Sequence, residues 1–248
     1  PSLPPDLKSV RKDDRDSGKA RPVPLSLTLS FCTANIASMY NGSWGHAGKT
    51  EYLRQQFLSM RLLFLGIQES RTPETFSAAE NVLRIGSGHA HGGLYGVELW
   101  ANLNVPYGRL GHRELYFKRA DFQVLHRDPR ALLVRVDTDF VHFALLVGYA
   151  PQSGLSVDVR SDWWESLQTI ASLKAPDEQL FVLIDANADP GSRDDIVVHQ
   201  DGFKTIANTH LFRNFLSVHG LTLPATCSIH DGTTTTWRSP NGMHEHCI

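Results

Sequence analysis

Only three cysteines, Cys32, Cys227 and Cys247, occur in the 248 residues. They are too few and too scattered for a disulfide scaffold, and this usage favours a reducing compartment. No apolar run approaches the roughly 20 residues of a membrane-spanning helix. The chain begins at Pro1 with no apolar signal segment, and so reads as a piece of a longer polypeptide. Charge of either sign is nearly balanced, at −2 overall, so the whole chain is no electrostatic magnet for nucleic acid, although a local basic groove is compatible with it. No internal repeat is visible. What remains is an ordinary globular composition, 41% hydrophobic and 20% charged, in a length that buries one large core.

The most informative stretch is Leu180–Gly191, LFVLIDANADPG. Leu180 to Ile184 read as a strand buried on both faces, and Pro190-Gly191 stops it. Asp185 and Asn187 stand two apart at its end, where an extended segment points both side chains the same way. Strand ends of α/β proteins are where chemistry is commonly placed. The plainer alternative is that Asp185 caps a turn and Asn187 makes an Asx-turn. Other strands end on polar groups too. Leu25 to Phe31 alternates Leu25, Leu27, Leu29 and Phe31 with Ser and Thr and runs on to Asn35. Leu62–Ile67 is followed by Gln68-Glu69-Ser70, and Val141–Val147 by Gly148-Tyr149. Alone, Asn35 would be a turn residue and Glu69 a surface residue.

Residues 1–24, rich in Pro, Lys, Arg, Asp and Ser, read as a disordered tail or linker. Gly48-Lys49-Thr50 resembles the end of a phosphate-binding loop, but Ser43 stands where that pattern needs Gly, so it is read instead as the start of a helix to about Met60, with Leu53, Phe57 and Met60 on its apolar face. Thr72-Pro73-Glu74 signals a second, short helix. Val82–Ile85, Tyr95–Trp100, Leu115–Phe117, Phe122–His126 and Ala131–Val136 read as strands, and residues 158–173 and a segment capped by Asn208 as helices. Arg109, Arg113, Lys118, Arg119, Arg127 and Arg130 give the meander a local positive excess, read as a solvated face or as a surface for a phosphate backbone. Cys227, His230, His244, His246 and Cys247 fit no standard zinc-finger spacing. Irregular alternation of strands and helices predicts two mixed sheets packed face to face with helices outside.

Asn35 in TANI, Glu69 in GIQES, Tyr149 in GYAP, Asp185 and Asn187 in LIDAN and Thr236-Trp237 in TTTW stand in the order and spacing of the endonuclease/exonuclease/phosphatase superfamily. The resemblance covers residues 25–248 and is strongest to the apurinic-type endonuclease domains of non-LTR retrotransposon polyproteins. It implies a four-layer α/β sandwich and Mg²⁺-dependent phosphodiester hydrolysis, with Mn²⁺ able to substitute. Glu69 and Asn35 would hold the metal, and Asp185, Asn187, Tyr149 and Thr236 would serve catalysis. The implied partner is the phosphate backbone of DNA, not a membrane. Fusion to a reverse transcriptase and intracellular, nuclear action are implied as well.

Two departures stand out. Ile184 and Ala186 replace the family's usual Gly before Asp and Phe before Asn. The family also continues with an Asp-Tyr or Asp-His pair and, further on, a Ser-Asp-His motif that these 248 residues do not contain. On the resemblance, the domain is expected to be incomplete at its C-terminal end, and the chain by itself inactive or nearly so. A phosphatase of the same superfamily acting on a phosphorylated lipid or inositol is an alternative. Ser239-Pro240-Asn241-Gly242-Met243 argues against the inositol type. A non-catalytic remnant is another alternative.

Overall fold

A computed structural model describes residues 23–39, 48–188 and 208–224, together with the backbone of 237–238 and 245–246. In chain order the elements are β1 (Leu25–Leu27), β2 (Phe31–Asn35), α1 (Lys49–Ser59), β3 (Phe64–Gln68), β4 (Thr75–Ala79), β5 (Val82–Gly86) and β6 (Val97–Asn102). Then come β7 (Gly108–Leu110), β8 (Arg113–Leu115), β9 (Phe122–Asp128), β10 (Ala131–Asp137), β11 (His142–Tyr149), α2 (Val157–Ala171), β12 (Gln179–Asp185) and α3 (Thr209–Val218). The two-residue strands β13 (Trp237–Arg238) and β14 (Glu245–His246) pair with each other.

Alternation along the strands builds the layers. In β3, Phe64 points into one core while Leu65 and Ile67 point into another. One sheet has the order β2-β3-β6-β5-β4 and the other β12-β11-β10-β9. Phe64, Leu83, Ile85 and Leu99 of the first sheet meet Leu132, Val134, Leu145, Val147 and Leu183 of the second in the central core. On the outer face of the first sheet, Leu65, Ile67 and Trp100 pack against Phe57 of α1. On the outer face of the second, Leu133, Ala144 and Leu146 pack against Trp164, Leu167 and Ile170 of α2 and against Phe212 and Phe215 of α3. The order helix, sheet, sheet, helices is the four-layer sandwich expected. Both sheets are mixed, because β2–β3 and β11–β12 pair in parallel and the remaining neighbours are antiparallel.

The sheets come into close contact at β3 and β12. A Cβ at Gly66 would lie 2.5 Å from Leu183 Cβ, so only glycine allows that spacing. Gln68 Nε2 then reaches across to donate to Leu183 O at 3.2 Å.

Several expectations are corrected. The predicted strand from Leu25 to Asn35 is two strands: β1 pairs with β7 in a separate small sheet, and β2 pairs with β3. Thr72-Pro73-Glu74 starts no helix. Thr75–Ala79 is β4, drawn into a hairpin with β5 through Glu80 and Asn81, both in the left-handed region, while the Thr72 hydroxyl is bound by the buried Glu98. Met60 is 55% exposed instead of facing the core, because α1 ends at Ser59 and Arg61 turns left-handed after it. Leu180–Ile184 does pack on both faces, Phe181 and Leu183 into the central core and Leu180, Val182 and Ile184 into the outer one, but β12 ends its sheet's strand order among the described residues and only Leu180 and Leu183 of the five are fully buried. The tail to residue 22 lies outside the described residues. Among the described residues, no helix is long and apolar enough to cross a membrane.

Candidate active site

The two parallel pairs determine where the functional groups meet. β2 and β3 run together with Asn35 beside Gln68, and β11 and β12 run together with Tyr149 beside Asp185. The close contact at Gly66 brings the two pairs face to face, so the C-terminal ends of all four strands open at one place. Asn35 is the hub there. Its Nδ2 donates to Glu69 Oε1 at 3.0 Å and to Asp185 Oδ2 at 2.9 Å. Its Oδ1 accepts the Ala37 backbone N–H at 3.0 Å. The Tyr149 hydroxyl donates to Glu69 Oε1 at 2.7 Å, and Gln152 Nε2 donates to that hydroxyl at 3.4 Å. Of the six groups expected to share one cleft, the side chains of Asn35, Glu69, Tyr149 and Asp185 meet here, the Asn187 side chain turns to Ala150, and Thr236 lies outside the described residues.

Asp185 is 8% exposed and shows both roles weighed from sequence. Its Oδ1 accepts the Asn187 backbone N–H at 3.1 Å, which is an Asx-turn, while Oδ2 faces the site. Asn187, at φ 44°, does not point alongside Asp185 as the extended reading required. The chain has already left the strand, and Asn187 Nδ2 donates to Ala150 O at 2.8 Å. Asn208 braces this turn. Its Nδ2 donates to Pro151 O at 2.7 Å, Asn187 O at 3.1 Å and Ala186 O at 3.4 Å, so its side chain makes no cap bond to α3.

Left-handed backbone clusters around the centre. Glu69 and Arg71 both have φ 54° and Tyr95 has φ 64°. Such conformations at non-glycine residues cost on the order of 1–3 kcal/mol each and persist where the surroundings over-determine them. Here the surroundings are a pair of backbone bonds, Ser70 N–H to Gly96 O and Arg71 N–H to Tyr95 O, both 2.9 Å. The guanidinium of Arg130 lies 3.8 Å over the Tyr95 ring and 5.1 Å over that of Tyr149, and donates to Tyr149 O at 3.2 Å.

The charges follow from these contacts. Burial alone would raise the Glu69 carboxyl, but hydrogen bonds from Asn35, Tyr149 and Arg71 outweigh it and hold the group below its ordinary value. Burial, reinforced by the bond to Glu69, pushes the Tyr149 phenol up to about 12. Tyr149 is therefore a protonated donor throughout the neutral range. Among the described residues, no three His, Cys, Asp or Glu side chains gather as a metal site by themselves. The two carboxylates nonetheless suit Mg²⁺, which takes hard oxygen ligands and keeps several waters, while the Asn35 amide turns its NH2 to them and its Oδ1 to the Ala37 N–H.

Thr236 lies outside the described residues, as do Cys227, His230, His244 and Cys247. Sequence reasoning missed Arg71 and Tyr95, and it gave Arg130 and Asn208 only general roles. The QESR run puts a cation two residues after Glu69, and this was the available signal. Part of the basic excess is spent on ion pairs, Arg109 with Glu114 and Arg127 with Glu74, as a solvated face would have it. A cavity of about 670 Å³ lined by Tyr107, Lys118, Asp137 and His142 lies away from this site. It sits at the other end of β11 from Tyr149, roughly 23 Å along the strand.

No protein-family profile and no curated protein matches the chain. Solved structures do. The endonuclease domain of TRAS1, a telomere-specific non-LTR retrotransposon, matches with TM-score 0.54 and 14% identity over 88% of this chain and 81% of that one. The AP endonuclease LMAP from Leishmania major matches with TM-score 0.56 and 13% identity over 96% and 79%. An endonuclease/exonuclease/phosphatase family protein from Leptotrichia buccalis matches with TM-score 0.52 and 12% identity over 89% and 86%. Two mixed sheets face to face with helices outside are thus a shared architecture, and the chain has the endonuclease/exonuclease/phosphatase fold.

Proposed function

We propose that this domain hydrolyses phosphodiester bonds of DNA with Mg²⁺, as a nicking endonuclease of the retrotransposon type. The observation that carries the reading is the bridge by which Asn35 joins Glu69 to Asp185, with the Tyr149 hydroxyl on the same Glu69 oxygen. Two carboxylates held within one amide's reach form a centre for a hard divalent cation. Glu69 would hold it, together with Asn35 once its amide turns over to face the carboxylates with Oδ1 instead of the NH2 that bridges them here, and it would supply Lewis-acid stabilisation of charge on the phosphate oxygens. With its Oδ1 already on the Asn187 N–H, Asp185 has Oδ2 to take a proton from the attacking water. The Tyr149 hydroxyl, protonated at neutral pH, donates to a phosphate oxygen where negative charge grows. Asn187 holds the Asp185 carboxylate by its backbone and ties the turn to Ala150 by its side chain. Thr236 would position a phosphate or brace the metal ligands, as the family resemblance implies, and fusion to a reverse transcriptase belongs to the same proposal.

The test has two parts. Mn²⁺ binding to the 248-residue chain should be detectable and lost in Glu69→Gln. Nicking of supercoiled plasmid should require Mg²⁺ or Mn²⁺, be slight in this chain, and become rapid once a downstream Ser-Asp-His segment is joined to it. In that extended form, Asp185→Asn should abolish nicking and leave the melting temperature nearly unchanged. Full activity in EDTA, or in Asp185→Asn, refutes the mechanism.

A further inference from the structure

Arg71 is the one cation hydrogen-bonded to a carboxylate of the centre among the described residues. Its guanidinium donates to Glu69 Oε2 at 2.9 Å, on the opposite side of the carboxylate from Asn35 and Tyr149. A guanidinium carries five N–H donors. Glu69 takes the only bond shown to this one, and Nε is buried without a partner. The side chain is 37% exposed, so solvent reaches part of it beside the carboxylate. Its position is imposed by the backbone: Glu69 and Arg71 share the left-handed conformation, and the Arg71 N–H is held by Tyr95 O.

We propose that Arg71 is a phosphate-binding residue whose availability is controlled by metal. It is held by Glu69 when no cation is bound, and it is turned to a phosphate oxygen of the substrate when a divalent cation takes that carboxylate. This rests on the function proposed above. Charge balance gives the reason. Glu69, Asp185 and Arg71 together carry −1, which repels a phosphodiester. Adding a divalent cation makes the sum +1, which attracts the single negative charge of one phosphodiester. The same ion relieves Glu69 of its need for Arg71, whose planar fork suits two phosphate oxygens. Metal and DNA would then bind with positive coupling through this side chain.

The test follows the salt dependence of binding of a labelled DNA duplex, read by fluorescence anisotropy, with Mg²⁺ and with EDTA. In Mg²⁺, Arg71→Ala should flatten the slope of log affinity against log salt by about one ion relative to the unaltered chain. Arg71→Lys should restore most of that slope. In EDTA the unaltered chain and Arg71→Ala should have equal slopes. Mn²⁺ should bind more tightly to Arg71→Ala, because its competitor for Glu69 is gone. Alanine meets the same left-handed backbone as arginine, and a thermal melt checks that the fold is kept. If Mn²⁺ binds in a Glu69-dependent way and the Mg²⁺ slopes of the unaltered chain and Arg71→Ala coincide, the Arg71 inference alone falls. The same holds if the loss is equal in EDTA. If Mn²⁺ does not bind, or binding survives Glu69→Gln, the metal-dependent function falls and takes this inference with it.

Discussion

Glu69 shows how single contacts set the chemistry of a side chain. Three donors, Asn35, Tyr149 and Arg71, surround a carboxylate that is 17% exposed. Together they overcome the desolvation that would otherwise favour its neutral form. The lowered value means that Glu69 stabilises the fold above the ordinary carboxylate range. That contribution is lost as pH falls through the lowered folded-state value. Removing one donor should move the group back. In Tyr149→Phe, the Glu69 carboxyl should titrate at higher pH than in the unaltered chain, as followed by carbon NMR of the side chain without metal. Unchanged titration would mean that the phenol bond contributes nothing to the charge on Glu69. Because Tyr149 is buried and packs against Tyr95 at 6.2 Å, phenylalanine keeps the packing and isolates the hydroxyl.

At the scale of elements, β3 and β12 matter most, because their spacing sets the distance between Glu69 and Asp185. Gly66 is the residue that permits it, with Leu183 Cβ at 2.5 Å from where a methyl would be. Gly66→Ala should force the two strands apart. Overpacking of this kind costs about 1–3 kcal/mol. The same movement should break the Asn35 bridge and the Gln68 bond to Leu183 O, so Mn²⁺ affinity should fall along with the melting temperature. Calorimetry and metal titration of the same sample check both. A second change, Leu183→Gly, which removes the clashing Cβ itself, should restore part of the metal affinity if spacing is the cause, because contacting residues couple. The hairpin of β4 and β5 shows tertiary pairing overriding a local signal. Thr72-Pro73-Glu74 has helix-start chemistry, but Thr75–Ala79 gains a partner in β5, and the Thr72 hydroxyl is taken by Glu98.

At the scale of the whole molecule, the outer layer of α2 and α3 must dock on the second sheet. His219 ends α3 with its ring 4.8 Å from Phe215, and its Nε2 is buried without a partner. Burial, with a smaller effect of Lys174, lowers its tendency to protonate. A histidine held neutral in this way contributes its stability above its unfolded value of 6.5, and loses it as pH falls through that value toward the folded one. Thermal melts should therefore show a larger fall in stability between about pH 7.5 and pH 5.5 in the unaltered chain than in His219→Gln, which cannot titrate. Equal falls would assign the pH response to other histidines.

Much of this was legible in the chain itself. Alternating and continuous apolar runs determined the sheets and the faces of α1 and α2, because burial is a local pattern of period. Polar groups at strand ends, from Asn35 to Asn187, marked the site, because a strand that stops leaves its last side chains at an edge. What the sequence could not carry was everything that depends on approach between distant segments. The break between β1 and β2, the loss of the helix at Thr72 and the edge position of β12 come from strand partners far away in sequence. The same holds for Arg130 over Tyr95 and Asn208 on the Asp185 turn. Each is an ordinary residue by its neighbours in sequence, and its partner is brought to it only by the packing of sheets and helices, which is a matter of tertiary distance.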